Sequence, residues 1–179
     1  MEKDKLEIVC DGDSWTFGCE ITDPIISKKY GGENVHPGTY DYYAENDEYR
    51  IPKIWSSFLE ENLNAKCYNI SWPADDNGTI LHRTIDYITT NYLIPKRPTD
   101  NLVVIVGWTT PERIFFWYKD DKINYKFKLY PNVPHFDAKG QEEIWKLYVE
   151  YLWNKEEYIP RFIMNVLQLQ TFCEVNKIK

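Results

Sequence analysis

The sequence has little of what metal centres, disulfide scaffolds and nucleic-acid binders are made from. It holds three histidines in 179 residues, and its four cysteines, Cys10, Cys19, Cys67 and Cys173, form no Cys-x-x-Cys pair and have no histidine at zinc-ligand spacing. A zinc ribbon is excluded, and a domain of this size needs no staples, so reduced thiols in a cytosolic setting are expected. Basic residues are outnumbered, 21 against 28 acidic ones, which leaves a net charge of −7. The acidic residues fall in both halves, and such a field repels polyanions, so no nucleic-acid partner is expected. No apolar stretch approaches the roughly 20 residues that span a bilayer, which argues against a membrane partner. The opening MEKDKL is charged and leads straight into a short apolar run, so no signal peptide is visible. With no internal repeat, low-complexity tract or linker, residues 1–179 read as a single domain long enough to bury a real core.

Aromatics, by contrast, are abundant: 7 Trp, 14 Tyr and 8 Phe make 16% of the chain. The excess fits a packed interior, a sugar-stacking surface or an assembly interface, and composition does not choose among them.

Leu6 to Cys10 (LEIVC) is a short apolar, partly β-branched run that meets turn chemistry at Asp11-Gly12-Asp13-Ser14. This predicts a buried first strand ending in a loop. Residues 23–49 are rich in Gly, Pro, Asp and Tyr without a sustained period and read as irregular and surface-lying. From Pro52, the apolar residues Ile51, Ile54, Trp55, Phe58, Leu59 and Leu63 recur at helical spacing. Cys67 to Ser71 is a second strand candidate, and Ile80, Leu81, Ile85 and Ile88 predict a second helix after the turn at Pro73 to Gly78. Leu102 to Val106 (LVVIV) has the continuous apolar character of a parallel central strand. Arg113 to Tyr130 carries two aromatic runs separated by Lys119-Asp120-Asp121-Lys122, the pattern of a hairpin arm. About Ala138 to Lys177 reads as two helices broken at Tyr158-Ile159-Pro160 with no strand after them. Strands alternating with helices predict a parallel α/β sandwich, whose reacting groups lie in loops at the carboxyl ends of its strands. Three such loops are expected to converge: Asp11 to Gly18, Trp72 to Gly78 and Gly107 to Arg113.

The first loop, Gly12-Asp13-Ser14-Trp15-Thr16-Phe17-Gly18, places a serine directly after a strand between turn-permitting glycines. Taken alone it is also an ordinary Asp/Ser turn. With its flanks, Ile8 to Gly18 resembles the first block of the SGNH, or GDSL-type, hydrolases. Asn69-Ile70-Ser71-Trp72-Pro73-Ala74-Asp75-Asp76-Asn77 is similar to that family's second block, and Val103 to Arg113 lies where the family has a strand followed by Gly-x-Asn-Asp. Trp108-Thr109, Arg113 and Arg83-Thr84 look most like the versions encoded by tailed bacteriophages. The resemblance covers Leu6 to Arg113. It implies a three-layer α/β/α sandwich with a short parallel central sheet, with the hairpin arm at about 113–130 added, in the host cytoplasm or the virion.

The chemistry it implies is ester or acyl hydrolysis through an acyl-serine, on a small-molecule or glycan ester. Ser14 is the implied nucleophile; the amides of Ser14 and Ala74 and the Thr109 hydroxyl are the implied oxyanion donors. Asp13 supports the loop, and Trp15, Asn77, Trp108 and Arg113 are the implied neighbours of the substrate. Three departures stand out. Ala74 replaces the second-block Gly and demands a conformation that tolerates Cβ. Thr109 replaces the third-block Asn. The family's Asp-x-x-His block, which supplies the general base, is absent. Only His36, His82 and His135 remain; His82 reads as a surface residue of the second helix. Either the base lies beyond Lys179 or in another chain, or the domain is an inactive relative that serves as a binding or structural module of a phage particle or complex.

Asp11, Asp13, Asp75 and Asp76 also fall in the strand-end loops, where carboxylates cap helices or face water more often than they hold a cation. No metal or cofactor is expected. Glu142-Glu143 and Lys155-Glu156-Glu157 read as solvated helix faces. The arm, with Trp108, Phe115, Phe116, Trp117 and Tyr118 opposite Tyr125, Phe127 and Tyr130, either covers the core or offers a surface to sugars or a partner protein.

Overall fold

The computed structural model describes residues 5–32, 40–119, 124–129 and 141–179. In chain order its elements are β1 (Glu7–Gly12), α1 (Ser14–Phe17), α2 (Pro24–Lys29), α3 (Tyr40–Arg50), α4 (Trp55–Leu63), β2 (Lys66–Asn69), α5 (Asn77–Ile88), β3 (Leu102–Gly107), β4 (Ile114–Lys119), β5 (Asn124–Leu129), α6 (Gln141–Leu147) and α7 (Lys155–Val175).

The class is mixed α/β, built on a short open parallel sheet of order β2-β1-β3. β1 is central because its residues are apolar on both faces, as a doubly covered strand requires. Ile8 pairs with Cys67 on one side and with Val103 on the other. Side chains alternate across a strand, so Val9 enters one core with Ile88 and Tyr92, which lie in or directly after α5, and with Leu102 and Ile178. Ile8 and Cys10 enter another core with Ala65, against Trp55 and Leu59 of α4. Burying each of these aliphatic side chains contributes about 1.5–3 kcal/mol. All three strand runs read from sequence are strands, with ends shifted by one or two residues, and the arm is an antiparallel hairpin with Ile114 opposite Leu129. Among the described residues, no helix is long and apolar enough to cross a membrane.

Three sequence readings need correction. Residues 23–49 are not irregular throughout: Asp23 caps α2 by accepting from the Ile25 amide, with Pro24 in the first turn, and α3 follows. α3 escapes apolar periodicity because what it buries is Tyr42, Tyr43, Asn46 and Arg50. The helix expected from Pro52 begins as a 3₁₀ turn, Ile51–Lys53, and becomes α-helical at Trp55. The C-terminal helices break at Trp153-Asn154, where Asn154 caps α7 by accepting from the Glu156 amide, and α7 runs through Pro160. Proline removes one amide there, and the 21-residue helix keeps the rest. No strand follows α7 among the described residues, as expected, but the chain touches the sheet there. The Lys179 amide donates to the Leu102 carbonyl at 3.0 Å and its carbonyl accepts from Val104 at 2.8 Å, one parallel rung on the outer edge of β3.

Candidate functional site

Strand direction brings the loops after β1, β2 and β3 to one end of the sheet, and specific contacts join them. Gly12 ends β1, and a Cβ there would sit 2.7 Å from the Gly107 carbonyl, besides striking the Thr16 hydroxyl, so only glycine lets the first and third loops approach this closely. Asp13 caps α1, accepting from the Trp15 amide at 3.1 Å, which makes Ser14 the first helical residue. Gly18 closes this one-turn helix in the left-handed conformation.

Beneath the loops lies a buried ion network. Asp11 is fully buried and accepts from Arg83 Nε at 3.0 Å, from the Thr84 hydroxyl at 2.7 Å and from the Gly12 amide at 2.6 Å. Arg83 also donates to the Gly12 carbonyl at 3.0 Å and ion-pairs with Asp75, so one guanidinium on α5 fastens the first loop to the second. Burial pushes the Asp11 carboxyl up, against the pull of Arg83, Thr84 and the Gly12 amide. Burial works against the Arg83 charge as well, but Asp11 and Asp75 outweigh it and raise its pKa. A second arginine, Arg113, donates to the Asp75 carbonyl at 3.0 Å and lies 3.3 Å from Asp13, joining third, second and first loops. Asn77 exchanges two hydrogen bonds with the Thr109 backbone.

Ala74 takes a left-handed backbone, φ +69°. The expectation of a conformation that tolerates Cβ is therefore wrong: the position keeps the geometry that favours glycine and accepts the strain of a methyl group. Around this loop end, the donors with no hydrogen-bond partner among the described residues include the Ser14 amide and hydroxyl, the Ala74 amide and the buried Thr109 hydroxyl. A buried hydroxyl without a partner is uncommon and asks for an explanation.

The other residues singled out from sequence are dispersed. Trp15 is 79% exposed beside Ser14. Trp108 packs on α7, its ring edge-on to Phe162 at 6.1 Å. Asn77 and Arg113 brace loops. Asp76 caps α5 through the Thr79 amide at 2.7 Å. His82 is exposed on α5, while His36 and His135 lie outside the described residues, as do the side chains of the arm. No described histidine bonds Ser14. Arg83 as a clamp, Asn69 and Trp72 were not read as site residues. Asn69 donates to the Thr16 carbonyl at 2.9 Å and accepts from the Ser71 amide at 3.1 Å. The available signal for Arg83 was a charge set among the buried positions Ile80, Leu81, Thr84 and Ile88.

The match to a family model begins at residue 40 and runs to 179. The chain belongs to DUF6071, a family of unknown function. The DUF6071 match contains Ala74, Arg83, Thr109 and Arg113, and it starts after the Gly-Asp-Ser loop. No curated protein and no solved structure matches the chain.

Proposed function

We propose that this protein is an SGNH-type serine hydrolase, with that family's three-layer α/β/α arrangement, acting on an ester or other acyl group. The observation that carries the reading is the set of three unpartnered donors, the Ser14 amide, the Ala74 amide and the Thr109 hydroxyl, in strand-end loops that also hold the Ser14 side chain. Unpaired donors are what an oxyanion hole requires, since a donor already bonded to the protein has nothing to give a developing negative charge. In the proposed reaction Ser14 Oγ forms a bond to the acyl carbon and its proton passes to a base. The alcohol then leaves, and water hydrolyses the acyl-serine. Asp13, Asp75, Arg83 and Arg113 hold the loops and do not touch the acyl group. The base is assigned to no described residue; His36 and His135 are the candidates within this sequence.

Helices on both faces of the sheet support the sandwich, and the block pattern with Trp108-Thr109 and Arg113 supports a phage origin. The test is turnover of p-nitrophenyl acetate. Wild type is expected to hydrolyse it, and Ser14→Ala to lose at least about a hundredfold. Full activity in Ser14→Ala would remove the assignment.

One observation favours a second reading. The Ser14 hydroxyl itself has no hydrogen-bond partner among the described residues, so nothing there activates it. On that reading the domain is catalytically inactive and serves as a binding or structural module. It predicts no turnover of any acyl ester, together with a stable partner complex or oligomer.

A further inference from the structure

A cavity of about 480 Å³ opens between α1, α3, α4 and the end of β2, within the range of about 300–1,000 Å³ typical of ligand sites. None of the residues expected from sequence to touch substrate lines it. Two of its walls nevertheless belong to the loops described above: Phe17 lies three residues after Ser14, and Trp72 two residues before Ala74. The cavity is thus joined through the chain to the first and second loops.

We infer that this cavity binds a ring of a neutral sugar through Trp72, Ser56, Asp47 and Glu60. As the subsite that presents a glycan ester to Ser14, the inference rests on the hydrolase reading; as a binding site it stands by itself.

The wall is an aromatic plate held in place. Trp72 is 41% exposed, yet Phe17 and Tyr43 meet it edge-on at 5.5 and 5.8 Å, and Tyr40 lies near-parallel to it at 6.5 Å. A tryptophan already fixed by two perpendicular rings loses little freedom when a ligand covers it. The apolar C–H face of a sugar ring is suited to such a plate.

The polar groups select what lies against it. Ser56 Oγ accepts from Asn69 at 3.3 Å, and its own proton has no acceptor among the described residues. The Glu60 carboxylate makes no hydrogen bond or ion pair there, and Asp47 is engaged by Arg50 through one oxygen only. The cavity thus offers one hydroxyl donor and two carboxylates that accept, which matches neighbouring hydroxyl groups on a ring.

Charge excludes the competing classes. Among the described residues, Arg50 is the one cation lining the cavity, and it is committed to Asp47, to the Phe17 carbonyl and to the Phe17 ring, 3.8 Å from its centroid. The remaining charge is negative, so phosphates and carboxylates are repelled. An alkyl chain would strip water from Asp47, Glu60 and Ser56 without replacing its hydrogen bonds.

The test is saturation-transfer NMR on the whole chain with methyl glycosides of glucose, galactose, mannose and N-acetylglucosamine, and with octanoate and inorganic phosphate for comparison. At least one glycoside is expected to show transfer and to quench tryptophan fluorescence. Ser14→Ala should keep this binding, Trp72→Ala should abolish it, and Glu60→Gln should weaken it by roughly tenfold, as loss of a hydrogen bond to a charged group does. Glu60 is exposed on α4, so Glu60→Gln carries the test if Trp72→Ala does not fold. Absence of binding by every glycoside, equal binding in both cavity variants, or binding of octanoate or phosphate alone would overturn the inference. Sugar binding without ester turnover removes the hydrolase reading and leaves the cavity assignment; turnover without sugar binding does the reverse.

Discussion

Asn77 and Thr109 hold each other by both ends of one amide: the Thr109 amide donates to Asn77 Oδ1 at 2.8 Å, and Asn77 Nδ2 donates to the Thr109 carbonyl at 3.1 Å. Both residues are buried, so the first turn of α5 fixes the loop after β3 as a backbone ladder would. Asn77→Ala leaves a buried amide and a buried carbonyl unpaired and should cost about 2–3 kcal/mol, read by urea unfolding. Asn77→Asp keeps the acceptor and should lose only part of that.

Among the described residues, Arg83 is the one group that touches Asp11, Gly12 and Asp75 together. Arg83→Met keeps the length of the side chain and removes the charge, leaving two buried carboxylates without their cation. A loss of about 3–5 kcal/mol is expected, with Ser14 reactivity falling as the first loop is released. Retention of both would show that the network does not set the loop.

Ala74 gives a prediction in the other direction. A left-handed non-glycine residue costs about 1 kcal/mol, and the greater freedom of glycine in the unfolded chain takes back part of the relief. Ala74→Gly should therefore leave stability unchanged or slightly higher and keep any ester turnover. Ala74→Val adds a branched Cβ in the same conformation and should lower both. Thermal unfolding beside p-nitrophenyl acetate turnover checks the pair.

Part of this architecture could be read from sequence because its physics is local. The runs at Leu6–Cys10, Cys67–Ser71 and Leu102–Val106 announce strands by continuous apolar or β-branched character, and turn chemistry follows each. α3 could not be read that way, since a helix that buries Tyr42, Asn46 and Arg50 leaves no apolar stripe. Pro160 misled for a related reason. Proline is costly in a helix interior, but packing over the remaining turns of α7 outweighs one missing amide. The candidate site divides likewise: Ser14, Ala74 and Thr109 are proposed from motif position, whereas the Arg83–Asp11 pair spans 72 positions and exists only once the sheet brings β1 beside α5. The contact of Trp108 with Phe162 of α7, 54 positions along the chain, was not legible for the same reason.

Cys10 sets a limit on alkaline stability. Burial, with Cys67 adding, pushes its thiol up to about 12. A thiol whose folded pKa exceeds its unfolded value, about 8.5, contributes stability that is complete below that value and is lost as pH rises toward 12. Buried Tyr43 and Tyr92, both also raised by desolvation, act in the same direction. Urea midpoints should fall between pH 9 and 11, less steeply in Cys10→Ala, and native Cys10 should resist iodoacetamide at pH 8.

The central proposal is that Ser14 is the nucleophile of a serine hydrolase, with the Ser14 and Ala74 amides and the Thr109 hydroxyl as its oxyanion donors. The most direct test is intact-mass analysis after exposure to a fluorophosphonate, which labels only activated serines, followed by peptide mapping. The account predicts one adduct, on the peptide that contains Ser14, absent in Ser14→Ala and slowed in Thr109→Val. A native chain that takes no adduct, or takes one on another serine, would contradict it.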